Sequence, residues 1–291
     1  MTDTAIEASG QVVGDSYGFE LLDLSPSIGT EVHGIDLTFE HSQEVIDYLS
    51  SLLVERKVIF FRDQSITMEQ HIAFARRFGE VEIHPFTAND TKNPEVIHLD
   101  NDRERPPAIN VWHSDVTWRE SPSLGSILRA RKIPKVGGDT LFANMEAAYN
   151  GLDDATKKQI EDMYAVHDNE PFLNGMRSNG VPEAQVEALR QQYPPVRHPV
   201  VRTHPVSQRK SLYVNRIFTR YIEGLPESES NKLLEKLYLS AWIPDYQCRF
   251  RWQKDSLTFW DNRSVQHYAA ADYWPETRKM ERVTIIGERP Y

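Results

Sequence analysis

The sequence holds one cysteine, Cys248, among 291 residues, so no internal disulfide can brace the chain. A lone thiol, with no positive–apolar–small leader pattern at the start, points to a reducing cytoplasm. No apolar run approaches the roughly 18 residues that span a bilayer, which argues against a membrane-embedded protein. Basic residues are in the minority, 33 against 43 acidic, for a net charge of −10. An acidic surplus argues against nucleic acid or an anionic membrane as a partner, since both need a basic face. A small anionic ligand stays open, because one or two local cations reverse the field inside a pocket. Linkers are missing too: no Gly/Ser-rich or Pro-rich stretch, internal repeat or low-complexity tract divides the chain. With 40% hydrophobic residues, the expectation is a small polar arm over residues 1–15 and one large domain over 16–291.

What is there reads as many short strands among helices. Leu21 to Leu37 gives short strands broken by Ser-Pro-Ser and Gly turns, and Val58-Ile59-Phe60-Phe61 a buried one. Ser42 opens a helix with Val45, Tyr48, Leu49 and Leu52 at three- and four-residue spacing. Thr67 and Gln70 form a capping-box signature for a second helix that Gly79 stops. Strands are expected at Ser126–Ile133, Thr140–Phe142, Ser211–Val214, Gln247–Trp252, Leu257–Trp260 and Val283–Ile286. Helices are expected at Met145–Leu152, Ala155–Val166, Glu183–Gln192 and Glu227–Ser240. Segments 87–101 and 169–182, rich in Gly, Asn and Pro, read as lid loops over a site. The class is α+β: an antiparallel sandwich or roll with flanking helices.

Within Asn110-Val111-Trp112-His113-Ser114-Asp115, an imidazole and a carboxylate stand two positions apart. On a strand, positions i and i+2 face the same side, so the two can converge. A third ligand must then come from far along the chain, and His267 follows the apolar strand Leu257–Trp260. Two histidines and one carboxylate on one face of an octahedron leave three positions open, the pattern of non-haem Fe(II) oxygenases. His-x-Asp alone is a weak signal, and Arg278 and Arg282 strengthen it. A guanidinium binds carboxylate in a two-point fork, as an oxo-acid co-substrate requires. His198 and His204, each before a proline, read as turn and strand-end residues; His71 and His167 read as surface groups. Trp112, Trp252, Trp260 and Cys248 read as core.

Four ordered stretches carry a family resemblance. They are Trp112-His113-Ser114-Asp115-Val116-Thr117, Gly137-Gly138-Asp139-Thr140, His198 through Pro205, and Trp260 through Tyr268, which leads on to Arg278 and Arg282. Together they resemble the taurine dioxygenase family, with its alkylsulfate and phenoxyalkanoate dioxygenases. The resemblance implies a double-stranded β-helix, or jelly roll, and a dependence on Fe(II) and 2-oxoglutarate. It implies His113, Asp115 and His267 as iron ligands, and Thr140 and Arg278 as holders of the far carboxylate of 2-oxoglutarate. Arg282 and His84 match residues that grip the substrate anion, and Phe218 matches an aromatic wall of its cavity. Thr87 and Ile109 stand where the taurine enzyme has a tyrosine and an asparagine. An unpaired buried amine costs about 1–3 kcal/mol, so taurine itself is disfavoured.

The implied reaction hydroxylates a small organic anion, an alkyl or aryl sulfonate or sulfate ester, next to its heteroatom. Succinate and carbon dioxide leave with an aldehyde or ketone. Aryloxyalkanoate or other carboxylate hydroxylation is the alternative within the family, and a zinc hydrolase using the same three ligands is the rival outside it. Asp115 argues against halogenation, which needs a vacant site where the carboxylate binds. A homodimer or homotetramer is expected.

Overall fold

Residues Val58–Phe61 form a strand with no exposed side chain, and its two faces define the layers of the molecule. A computed structural model of the chain describes residues 17–85 and 90–291; the expected arm and Thr87 lie outside the described residues. Because successive strand residues point to opposite faces, Ile59 and Phe61 join one apolar cluster while Val58 and Phe60 join another. The same alternation along the neighbouring strand sends Leu257 and Phe259 outward and Trp260 inward.

The large sheet runs in the order β1 (Glu20–Asp23), β2 (Thr30–His33), β3 (Val58–Phe61), β13 (Leu257–Asp261), β5 (Ser123–Lys132), β15 (Arg278–Ile286), β4 (Val96–Asn101). Its pairs are antiparallel except β2 with β3. Facing it is a three-stranded sheet, β12 (Gln247–Phe250), β6 (Thr140–Asn144) and β14 (Val265–Ala269). Two smaller sheets extend the roll: β11 (Thr219–Ile222), β7 (Tyr164–His167) and β8 (Val196–Pro199), and the pair β9 (Val201–Thr203) with β10 (Lys210–Leu212).

Helices cover both outer faces. α1 (Gln43–Arg56) and α2 (Met68–Arg76) pack on the large sheet through Ile46, Leu49, Leu53, Ile72 and Phe74. The capping box is formed in full, with Thr67 accepting from the Gln70 amide and the Gln70 side chain accepting from the Thr67 amide. Ser42 stands at the N-cap of α1 without a side-chain cap bond. On the other side lie α3 (Met145–Asn150), α4 (Asp154–Ile160) and α7 (Glu227–Leu239), whose Leu233, Leu234 and Leu237 join Met145, Ala148 and Ile160. α5 (Glu170–Ser178) and α6 (Glu183–Gln192) complete the set. No described helix is long and apolar enough to cross a membrane.

Several expectations from sequence fail for tertiary reasons. The helix expected over Ala155–Val166 ends at Ile160, and Tyr164–His167 becomes β7 because β8 and β11 flank it on both sides. Propensity is a weak prior where two neighbours offer a ladder. The expected lid segments carry regular structure: β4 pairs with β15 at the sheet edge, and α5 fills most of 169–182. His71 and His167 are fully buried, not on the surface.

The inner face is dominated by Phe60, stacked on Phe250 at 4.1 Å and edge-on to Phe142 at 5.7 Å. Truncating a buried phenylalanine costs about 3–5 kcal/mol through lost burial and a residual cavity. Phe60→Ala is expected to lose that much in urea unfolding, while Val136→Ala, 76% exposed, changes stability by less than about 0.5 kcal/mol.

Candidate metal centre and cavity

The two halves of the site meet at an isolated antiparallel bridge. The His113 amide donates to the His267 carbonyl at 3.1 Å, and the His267 amide returns to the His113 carbonyl at 2.8 Å. Paired residues of this kind bring their side chains side by side, and the two imidazoles stand 4.2 Å apart. Asp115 adds its carboxylate, with Oδ1 3.6 Å from His113 Nε2. Ligand atoms from all three lie within 4.8 Å of one another, and no other such group of three or more occurs among the described residues.

The geometry corrects the reason for which His-x-Asp was singled out. No continuous strand carries both residues: His113 makes one bridge, and Asp115 begins a turn. In that turn Val116 takes φ of +47°, the left-handed region that β-branched residues rarely enter. His113 and His267 share a side because of the bridge, and Asp115 joins them because of the turn.

The donor set suits a divalent metal. His113 Nδ1 lies 2.7 Å from the Val111 carbonyl. That carbonyl can only accept, so Nδ1 is the donor there and Nε2 is the nitrogen directed to the site. Burial, with His113 beside it, pushes His267 down to about 3, so it is a neutral imidazole at neutral pH. Its Nδ1 is buried with no hydrogen-bond partner among the described residues, and its ring packs against Trp260 at 4.9 Å. Burial alone would raise the Asp115 carboxyl, but Arg282, together with His267 and His113, outweighs it and holds the group well below the usual carboxylate range. Two imidazoles and an ionised carboxylate are the ligand types that non-haem Fe(II) takes.

Beside these groups opens a cavity of about 320 Å³, lined among others by His84, Ile109, Phe172, Phe218, Arg278 and Arg282. Arg278 and Arg282 share a face of β15 by period-two alternation. The strand begins at Arg278, five residues before the expected Val283, and so carries both arginines. Arg278 is buried, with Nε and Nη2 lacking any partner among the described residues. Burial pushes it down to about 10, which leaves it charged at neutral pH. Buried guanidinium donors without partners are costly, and an incoming carboxylate would satisfy them.

Arg278 lies 5.8 Å over the Trp252 ring, whose indole N–H donates to Thr140 Oγ1 at 3.0 Å. Trp252, read from sequence as core only, therefore orients Thr140 and supports Arg278. Gly138 adjoins the same group: a Cβ there would stand 3.3 Å from Arg278 Cδ.

Arg282 Nη1 contacts both Asp115 oxygens, at 3.2 and 3.1 Å, and its Nε is buried without a partner among the described residues. Burial, then Arg282 and Arg119, pushes His84 down to about 3, so it is neutral. Phe218 stacks on Phe172 at 5.8 Å, and Phe172 meets His84 edge-on at 5.8 Å. Phe172 was not foreseen, because it lies in a segment read as loop. His198 bonds the Arg119 carbonyl, His167 bonds Thr117, and His204 bonds Asp261, so these histidines support the site from beneath.

A sheet-rich roll enclosing two histidines, a carboxylate and a buried arginine describes a metal-dependent oxygenase scaffold. The chain matches the Taurine catabolism dioxygenase TauD, TfdA family over residues 20–284 and belongs to that family. It is 36% identical over 279 residues to an alkylsulfatase of Acinetobacter baylyi, covering 92% of this chain and 85% of that one. It is 33% identical over 277 residues to an alpha-ketoglutarate-dependent sulfate ester dioxygenase of Pseudomonas putida, covering 92% and 91%. Its fold is similar to the crystal structure of a taurine dioxygenase from Burkholderia xenovorans, with a TM-score of 0.80, 32% identity and 94% and 90% coverage. The core is thus the jelly roll expected.

Asp261, at the turn before β14, anchors this end of the roll. It is fully buried, bonds Arg263 at 2.8 and 2.7 Å, and lies 2.9 Å from His204 Nε2. Burial would raise its carboxyl, but Arg263 and His204 together outweigh burial and hold it well below the usual range. A carboxyl depressed in the folded state contributes stability above its unfolded pKa of about 3.9 and loses it as pH falls further. Asp261→Asn is therefore expected to cost about 3–5 kcal/mol in urea unfolding at pH 7. The gap to wild type should narrow as pH drops from about 4 toward 2.

Proposed function

We propose that the protein is an Fe(II)- and 2-oxoglutarate-dependent dioxygenase that hydroxylates a small organic anion, a sulfonate or sulfate ester, beside its heteroatom. The observation that carries this reading is the pairing of the His113–Asp115–His267 cluster with the buried, partnerless donors of Arg278. A facial set of three ligands leaves three positions for co-substrate and O2. Arg278 and Thr140 hold the far carboxylate of 2-oxoglutarate, the guanidinium as charge and fork, the hydroxyl as donor. The Thr140 hydroxyl is free to donate because its oxygen already accepts from Trp252. Fe(II), 2-oxoglutarate and O2 together supply the hydroxylating power, with 2-oxoglutarate leaving as succinate and carbon dioxide.

The remaining residues position the substrate. Arg282 and His84, both lining the cavity, face the substrate anion. Phe218 and Phe172 form an apolar wall that orders the substrate body and keeps water out. Hydroxylation of the carbon bearing sulfonate or sulfate gives a hemiacetal-like product, which collapses to an aldehyde or ketone as that group leaves. The Phe172–Phe218 stack also suits an aryloxyalkanoate, the second reading. A zinc hydrolase would leave Arg278 with no anion to bind. We further propose one catalytic domain over residues 16–291, a cytoplasmic location, a homodimer or homotetramer, and neither nucleic acid nor membrane as partner.

Anaerobic protein with Fe(II) and 2-oxoglutarate is expected to show a weak visible charge-transfer band. His113→Ala should abolish the band. Arg278→Ala should raise the 2-oxoglutarate KM about ten- to a hundredfold, the loss of a charge-assisted hydrogen bond. In air, succinate release should respond to sulfonates or sulfate esters before aryloxy acids. No band, together with zinc-supported hydrolysis, would overturn the reading.

A further inference from the structure

The turn Asp261-Asn262-Arg263-Ser264 joins β13 to β14 and is buried at every residue. A fully buried polar turn is costly unless each group finds a partner. Asn262 finds its partners in the ligand turn. Its Oδ1 accepts from the Asp115 amide at 2.7 Å, and its Nδ2 donates to the Asp115 carbonyl at 2.9 Å. The same Nδ2 donates to Ser123 Oγ at 3.1 Å, and the Asn262 amide donates to the Leu124 carbonyl at 2.9 Å. One carboxamide thus holds both backbone polar groups of a candidate metal ligand.

The residue held next is the strained one. The Asp115 carbonyl belongs to the peptide that enters Val116, whose φ is +47°. A β-branched residue does not adopt that conformation unless its surroundings impose it. Ser114 Oγ, donating to the Val265 carbonyl at 2.8 Å, fixes the preceding residue. Asn215 Nδ2, donating to Thr117 Oγ1 at 3.0 Å, fixes the following one. Only Asn262 acts on the Asp115–Val116 peptide itself among the described side chains.

We propose that Asn262 is a positioning residue for the metal centre: by clamping the Asp115 backbone it imposes the left-handed Val116 turn and aims the Asp115 carboxylate at the His113–His267 pair. The proposal rests on the reading of these three residues as metal ligands. Because β14 starts at Val265, directly after the turn, and His267 lies two residues further on, the same turn sets both Asp115 and His267. It tolerates little change, since outer-sphere partners of metal ligands typically govern affinity about 10- to 100-fold.

The test is an anaerobic titration of the full chain with Co(II), whose visible bands report coordination geometry, alongside thermal melting. Variants are Asn262→Ala, Val116→Gly, their combination, and Gln64→Ala. Gln64 is a buried amide bonding Leu37 and Ile35 far from the site. Wild type should bind Co(II), and His113→Ala should not. Asn262→Ala should bind about 10- to 100-fold more weakly with altered bands, whereas Gln64→Ala should melt earlier with unchanged affinity. Glycine accepts positive φ freely, so Val116→Gly should restore part of the affinity in the Asn262→Ala background. If Asn262→Ala does not fold, Asn262→Asp takes its place, keeping the acceptor for the Asp115 amide and losing the donor. Wild-type affinity and bands in the folded Asn262 variant would overturn the proposal alone. No Co(II) binding by wild type would overturn the metal reading with it.

Discussion

A carboxylate buried away from water must be ionised to hold a metal, and the structure around Asp115 meets that requirement. Desolvation pushes the proton onto it, and only a close cation keeps the proton off. Arg282 supplies the cation through contacts to both oxygens. That pairing has a geometric cost elsewhere. Arg282 must sit on the inner face of β15, four residues from Arg278, so one strand brings both guanidinium groups into the cavity. β15 is held in register by β4 and β5 on its two sides, which leaves neither arginine free to drift.

The layered core makes that rigidity possible. Period-two alternation lets each central strand feed two clusters, one under α1 and α2 and one between the sheets. The inner cluster ends at Phe142, Trp260 and Val265, beside the His113–His267 pair. Packing at that density transmits small changes, so a void beneath His267 would alter its angle as well as the stability. The polar turn at residues 261–264 stands between this apolar floor and the ligands. It converts core packing into backbone placement through Asn262.

How much of this the sequence made legible depends on whether a signal was local. The capping box at Thr67 and Gln70 needs only its own helix, and it forms as read. Val58–Phe61 is legible because a run of large apolar residues has few other uses. The grouping of His113, Asp115 and His267 was legible through spacing and family motifs, although its geometry was misjudged: a single bridge and a strained turn replace the imagined strand. Signals that depend on distant partners stayed hidden. Tyr164–His167 became a strand because β8 and β11 enclose it, and His71 lies buried because Ile127 offers a carbonyl. Trp252 looks like any core tryptophan until Thr140 and Arg278 are placed beside it. Phe172 entered the cavity wall because α5 formed where glycine and asparagine suggested a loop.

The charges around the cavity give a last argument on what it accepts. At the rim Asp100 stands 3.9 Å from Lys279, and inside Asp115 is matched by Arg282. Glu82, raised by burial, is paired with Arg119 just behind His84. The charged residues that line the cavity, Asp100 and Asp115 against Arg278 and Arg282, balance in number but not in place. Arg278 has no carboxylate in ion-pair contact among the described residues, whereas Arg282 is engaged with Asp115. A low-dielectric interior strongly disfavours a charge without a close counter-charge. The two arginines of one strand therefore differ in what they can do: Arg282 holds Asp115 ionised, and Arg278 is the cation left for an incoming carboxylate.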